Sequence, residues 1–236
     1  MICKTFSLEC SAKLISALLL CVACVGLIGG CSCGPELDTS LLTGSPCRAP
    51  CWHNIIPGTS SEEVVHEQLE SSSLVRKGTV RCDSAEQEGV LLTMCAWRDQ
   101  KGDFNRLYLH DGKVLRIEIE LDYDLTLGEV VDEYGPPEYV YAEAGGSFEY
   151  AVFLLYPTQG LGFTSYVFAP DAAKYIVSRD IGIVSKELKV EEAIYFSPTS
   201  LRELFEEVLL LSPSRVEHHV INSREWSDFG QVELAQ

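Results

Sequence analysis

Positive charge is what this chain is short of. Lysine and arginine number 18 against 35 aspartates and glutamates, a formal charge of −17. A nucleic-acid binder needs a basic surface facing the phosphates, so that partner class is excluded. The same field repels anionic headgroups, so a protein face laid against a membrane is not expected either. A long apolar run is also missing. The charge-free stretch Leu14 to Gly30 has 17 residues and is diluted by Gly26, Gly29 and Gly30, whereas a spanning helix prefers about 20 apolar residues. At 46% apolar and 9% aromatic residues, however, the chain has enough to bury a core.

What stands at the N-terminus has the layout of a secretory signal: Lys4 and Lys13 with an atypical Glu9, then the apolar run, then small residues. Ile28-Gly29-Gly30-Cys31 resembles the lipobox of bacterial lipoproteins, in which the cysteine receives the lipid. The resemblance implies cleavage before Cys31 and lipidation there. Cys24, after Val22-Ala23, is a second lipobox candidate, and an uncleaved signal anchor is the alternative. All of these put the bulk of the chain outside the cytoplasm, at a periplasmic or cell-surface membrane face. Removing Lys4, Lys13 and Glu9, net +1, leaves the mature part at −18.

Beyond the signal remain Cys31, Cys33, Cys47, Cys51, Cys82 and Cys95. An oxidising compartment permits disulfides. Cys82 and Cys95 lie in the arms of a candidate hairpin and Cys47 and Cys51 close a short ring around Pro50, which makes these the expected pairs. With Cys31 lipidated, Cys33 is left without a partner in the chain. Five free thiols is the alternative. A zinc site is the rival use of Cys47 and Cys51, but no second close cysteine pair completes four ligands. No metal and no cofactor is expected.

The segment 31–56 is rich in Gly, Pro, Ser, Thr and Cys and reads as a tether. Then Ser60-Ser61-Glu62-Glu63-Val64-Val65-His66-Glu67 and Thr126-Leu127-Gly128-Glu129-Val130-Val131-Asp132-Glu133 align without a gap. Each predicts a capped helix, with a hydroxyl at the N-cap and a glutamate three residues on. Strands follow the first at Val90 to Trp97, Arg106 to His110 and Val114 to Leu121, with a hairpin turn at Asp111-Gly112. Strands follow the second at Ser147 to Tyr156, Leu161 to Phe168 and Val190 to Phe196. Gly135-Pro136-Pro137 ends the second helix. A last helix is expected from Ser200, boxed by Glu203, to about Leu211, before a polar tail. The expected class is α+β: two helix-plus-antiparallel-sheet repeats in tandem, 57–122 and 123–197, then a C-terminal helix and tail, 198–236, after a signal peptide, 1–30.

Ile56-Pro57-Gly58-Thr59, Tyr134-Gly135-Pro136-Pro137 and the two Glu-Val-Val helices resemble the SmpA/OmlA lipoprotein domain, the family of the assembly lipoprotein BamE, and the tandem repeat of the beta-lactamase inhibitor protein. The likeness covers roughly residues 55–197. It departs after the first helix, where Glu70-Ser71-Ser72-Ser73 and a cysteine-bearing segment replace Gly-x-Pro. The resemblance implies a non-catalytic binding module and carries over no site residue. The expected partners are a membrane, through the lipid, and another envelope protein.

Candidate chemistry is thin. His66-Glu67-Gln68-Leu69-Glu70 begins like a helical zinc-protease motif, but Glu70 stands where the second histidine is needed. Gly145-Gly146-Ser147 begins like a nucleophile elbow, and no glycine closes it. His218 and His219, if on a strand, point to opposite faces. No general acid or base is assigned. The polar side of the first hairpin, with Arg106, Tyr108, His110, Arg116, Glu118 and Glu120, is the candidate binding face, the alternative being a merely wetted sheet face. Tyr150, Tyr156, Phe163, Tyr166 and Phe168 line a groove or fill the core. The leading expectation is a lipid-anchored binding or scaffold protein; the alternative is an envelope hydrolase using carboxylates that the sequence does not single out.

Overall fold

The computed structural model describes residues 38–235, apart from 122, 146–147, 169–173 and 179–180. The signal segment, Cys31 and Cys33 lie outside the described residues. The chain builds one large antiparallel sheet and few helices, the α+β class expected. Tight turns set its register. Asp111 and Gly112 take φ of 50° and 73°, the left-handed pair that a two-residue hairpin requires, and join β3 (Phe104–His110) to β4 (Lys113–Glu120). Glu88-Gly89 does the same between β1 (Arg81–Gln87) and β2 (Val90–Arg98). A second meander follows, β5 (Tyr139–Gly145), β6 (Phe148–Tyr156) and β7 (Leu161–Val167). Gly160, at the β6–β7 turn, is confined twice: its φ is 69°, and a Cβ there would meet the Phe196 carbonyl oxygen at 2.2 Å.

After a small hairpin of β8 (Ile176–Ser178) and β9 (Ile181–Val184), the chain returns as β10 (Glu192–Phe196) between β4 and β7. With β11 (Arg224–Glu225) at the far edge, the order is β1-β2-β3-β4-β10-β7-β6-β5-β11. β12 (Gly230–Glu233) joins β9 and β8 in a second sheet of three strands.

One face of the large sheet carries the main core. Leu107, Ile117, Phe163, Ala193 and Tyr195 are buried there together with Val65 and Leu69 of α2 (Glu62–Ser71) and Leu127 and Val130 of α3 (Leu127–Tyr134). Each such aliphatic side chain contributes about 1.5–3 kcal/mol by leaving water. The two helices start differently. Thr126 and Glu129 form the reciprocal capping box expected of them. Ser60 and Glu63 do not. The Ser60 hydroxyl is buried and accepts from the Ile56 N–H at 2.9 Å, closing a turn, so the helix begins one residue later with Ser61 as N-cap. The structural offset between the helices is therefore 65 residues, which puts Val65 on Val130, both fully buried, and not half-exposed Val64.

The expected tether is packed from residue 38 onward. Trp52 and Ile55 are buried, Trp52 lies against Trp97 with ring centroids 5.3 Å apart, and α1 (Ser40–Thr43) places Leu41 in the same cluster. Asp38 fastens the segment, accepting from the Trp52 indole at 2.6 Å and lying 3.0 Å from His53 Nε2. Burial works against the Asp38 charge, but His53, Ser40 and Trp52 together hold its pKa below the ordinary value.

At the other end Ser200 and Glu203 form the expected capping box for α4 (Leu201–Glu203), which widens into a π turn over Leu204–Val208. Leu210, at φ 51°, breaks it. Where a polar tail was expected, Ser212-Pro213 starts a further helix: proline is favoured at a first helical position, and α5 runs Pro213–Asn222. His218 and His219 thus sit on a helix, not a strand. No helix among the described residues is long and apolar enough to cross a membrane.

Both expected disulfides are present. Cys82 and Cys95 are direct cross-strand partners with Cα atoms 4.0 Å apart, and Cys47 and Cys51 are joined at 5.8 Å. The double variant Cys82→Ala/Cys95→Ala is expected to lose about 3 kcal/mol in urea denaturation, because the open loop enlarges the unfolded ensemble. A midpoint equal to that of the oxidised parent would contradict this.

Candidate functional site

The second face of the large sheet was expected to be polar and wet. It is polar, but its centre is covered. Arg116 is 4% exposed and Glu118 8%, because the π turn and α5 lie across the strands that follow them in the sheet. Strand pairing sets the charges side by side: Arg106 opposes Glu118 and Tyr108 opposes Arg116 across β3–β4, while Glu192 opposes Glu120 across β10–β4. Each nitrogen of the Arg116 guanidinium has a partner. Nε donates to Glu118 at 2.7 Å, Nη1 to the Val208 carbonyl at 2.7 Å, Nη2 to Gln87 Oε1 at 3.0 Å, and its plane covers the Tyr108 ring at 3.8 Å. Glu118 takes a second donor from Arg106 Nε. Removing Glu118 would strand the buried Arg116 charge, at a cost of about 3–5 kcal/mol, whereas Glu118 would keep Arg106 if Arg116 were lost.

Beside this network runs an open groove of about 480 Å³. Arg106, Glu118 and Glu192 form its floor, and Phe104, Tyr166 and Phe168 its aromatic wall. Phe104 and Phe168 are 39% and 46% exposed. Asp103, Glu120 and Glu191 add negative charge, with Lys189 among them. Glu192 is the perturbed group. Burial, then the neighbouring Glu118 carboxylate, push its pKa up to about 7 against the pull of Arg106, whose Nη2 lies 3.7 Å away. Burial and Glu192 in turn push Tyr166 up to about 12.

A second cavity, about 310 Å³, opens between the sheet and its roof and shares Arg106, Glu118 and Glu192 with the groove. Leu204, Phe205 and Leu209 form the roof, and His219 lies between the rings of Phe205 and Tyr141, 5.1 and 4.8 Å between centroids. The His219 Nδ1 is buried and has no hydrogen-bond partner among the described residues. Burial holds its pKa below the ordinary value despite nearby Glu143.

Of the candidate face, Arg106, Glu118 and Glu120 line the groove, and Tyr108 and Arg116 lie beneath or beside its roofed end. His110 does not line it: it pairs with Lys113 at the exposed hairpin tip. Of the aromatics, Tyr150 and Tyr156 on β6 and Phe163 on β7 are buried in the core, while Tyr166 and Phe168 reach the groove; Phe163 and Tyr166 part as odd and even positions of β7 must. Sequence reasoning missed Glu192 and His219. The alternation of β10 was the available signal for Glu192; none existed for His219. His66 stands 3.9 Å from Glu62 on the half-exposed side of α2. Among the described residues the grouping with ligand atoms close enough to share an ion is His66, Cys82 and Cys95, and those two sulfurs are already bonded to each other.

No family model, curated protein or solved structure matches this chain.

The raised pKa of Glu192 fixes the sign of a pH effect. The folded state holds this proton more tightly than the unfolded chain, so its contribution is full below the ordinary glutamate value and is lost as pH rises through about 7. Replacing it, Glu192→Gln, should flatten the fall in stability across that interval, read as urea midpoints at successive pH values. An unchanged slope would place the titration elsewhere.

Proposed function

We propose that this chain is a lipid-anchored extracytoplasmic binding protein of the bacterial envelope that performs no catalysis and engages a partner protein through the open groove. The observation that carries the reading is the groove itself: exposed Phe104 and Phe168 beside a buried, charge-paired floor. Exposed aromatics next to desolvated charges are the composition of an interface hot spot. The surplus of carboxylates there matches a basic segment of the partner, with an arginine or lysine set against the aromatic faces. Two disulfides support an oxidising compartment.

The tandem architecture belongs to the same proposal. Ser61 bridges Lys113 and Thr126 bridges Lys189, so each helix is docked by its N-cap to the chain just at or before a seam strand. The order β1-β2-β3-β4 is mirrored by β10-β7-β6-β5 about the β4–β10 pair. These features support two SmpA/OmlA-like units fused through their last strands, with the segments beyond Phe196 added as the roof. A hydrolase is the second reading, favoured by Glu192 with a pKa near 7 among converging carboxylates. The two part at Glu192→Gln, which abolishes hydrolysis and spares partner binding.

Anchoring is tested by Cys31→Ser, which should release the protein from membranes; retention as before would remove the lipidation reading. Partner binding is tested by a photo-crosslinking residue at position 168 in cells. A single discrete adduct is expected there and not from position 221, which is 75% exposed on α5. Equal adducts from both positions, or none from 168, would overturn the groove as an interface.

A further inference from the structure

The grouping of His66 with Cys82 and Cys95 belongs to the core face of the sheet, away from the groove. Three elements meet there: α2 brings His66, the edge strand β1 brings Cys82, and β2 brings Cys95. One imidazole nitrogen and the two sulfurs all lie within 4.8 Å of one another. Strand pairing sets the sulfurs, because Cys82 and Cys95 are direct partners. Helix packing sets the imidazole, because buried Val65 and Leu69 fix the side that α2 turns to the sheet.

Packing does not call for a histidine at this point. At the 65-residue offset between the two helices, His66 corresponds to Val131, an aliphatic side chain packed against the core. No cysteine follows Cys95 in the chain. The imidazole and the cysteine pair thus occur together in one half of the sheet and are both missing from the other. Cys47 and Cys51 have no such third group within reach among the described residues.

Two thiolates and an imidazole are donors that suit zinc. In a tetrahedral site, with sulfur at about 2.3 Å and nitrogen at about 2.0 Å from the metal, ligand atoms stand about 3.5–3.8 Å apart. The sulfurs must part and the imidazole must close in, and rotation about side-chain bonds supplies both movements. The Glu62 carboxylate, 3.9 Å from His66 Nε2, is at hand for the fourth position or for the ring nitrogen that the metal leaves free. His66, Glu62 and Cys82 are all partly exposed, so solutes reach the site, whereas Cys95 is buried.

We propose that the Cys82–Cys95 bond alternates with a zinc site: once reduced, the two thiolates and His66 bind one zinc ion, with Glu62 or water as fourth ligand. A dithiol is the reductant. Its thiolate attacks the Cys82 sulfur and Cys95 leaves as thiolate; its second thiol then attacks the mixed bond and frees Cys82. The reductant ends as a disulfide and the protein as two thiols. Zinc replaces the two thiol protons, which go to solvent, and the imidazole gives the lone pair of a neutral nitrogen. A disulfide oxidant reverses the exchange and releases the ion. The site does not depend on the groove or on what fills it.

Anaerobic titration of the full chain with cobalt(II) and zinc, before and after reduction by a phosphine, tests this. The reduced parent should develop a thiolate-to-cobalt charge-transfer band and the strong visible bands of four-coordinate cobalt, which zinc then removes. The chain has other cysteines, but His66→Ala removes no thiol, so its difference from the parent reports this site alone. It should weaken zinc by at least about tenfold in competition with a chromophoric chelator. His66→Cys supplies a third ligand again and should regain tight binding, and Cys47→Ser/Cys51→Ser should bind as the parent does. Zinc should also raise the urea midpoint of the reduced parent and not that of reduced His66→Ala, so a fold loosened by reduction still gives a reading. Equal zinc affinity in reduced parent and reduced His66→Ala would overturn the proposal. So would cobalt bands of equal strength without reduction, or parent affinity in Cys82→Ser/Cys95→Ser. Loss of binding in Cys47→Ser/Cys51→Ser would move the metal to that pair.

Discussion

The antiparallel pairing of β4 with β10 is the contact on which the rest of the molecule depends. It joins two four-stranded meanders that are otherwise linked by α3 and connecting segments, and it does so with both faces in use. On one side Ile117 meets Tyr195 and Ile119 meets Ala193, so the seam is continuous with the apolar core. On the other side the same register places Glu118, Glu120 and Glu192 within one neighbourhood. A slip of one residue would exchange the two sets, burying carboxylates in the core and opening isoleucines to the groove. The acidic character of the groove and the integrity of the core are thus one constraint.

The terminal segments are held to this sheet by polar contacts as much as apolar ones. A helix that stops leaves carbonyls without donors, and the break at Leu210 does this at Val208 and Leu209. Arg116 takes the first and Gln87 the second. A buried arginine–glutamate pair adds little net stability over an apolar replacement. Its value here is directional: a leucine at position 116 would fill space, but it would not specify where the π turn must lie. The irregular turn, the arginine and the two cavities beside it form one arrangement.

Much of the fold was legible because its signals were local. Asp111-Gly112, the Thr126–Glu129 box, the Ser200–Glu203 box and the strands β2, β3, β4, β6, β7 and β10 all follow from turn chemistry and alternation within a few residues. What failed was decided at a distance. Ser60 has the sequence of a cap, but its hydroxyl is spent on Ile56. The residues from Asp38 to Ile55 look like a tether because their order comes from Trp97 and from the Asp38–Trp52 bond, not from periodicity. Arg116, Glu118 and Glu120 alternate as a solvated face should, and a roof 92 residues on from Arg116 buries the first two. Pro213, after a helix expected to end near Leu211, starts the next one, because proline suits a first helical position as well as it stops a helix. The candidate face was legible as a set of residues; its depth was not, and His219 entered it by a helix that polarity had concealed.

A sheet of nine strands must end somewhere, and each end is an invitation to another chain. Here the two ends are treated differently. Beyond β5 the edge is spent on the protein's own tail: β11 pairs for two residues, and Ala235 exchanges hydrogen bonds with Ala142 and Ala144. At the other margin β1 pairs with no further strand among the described residues, carries exposed Arg81, Asp83 and Glu86, and is clamped to β2 through Cys82 and Cys95. Behind it lies Leu91, 70% exposed. Reduction of that bond therefore does more than loosen a loop. Were β1 to peel away, the new margin would be a longer, more apolar and nearly uncharged strand, and self-association would become the molecule's first response to a reducing environment.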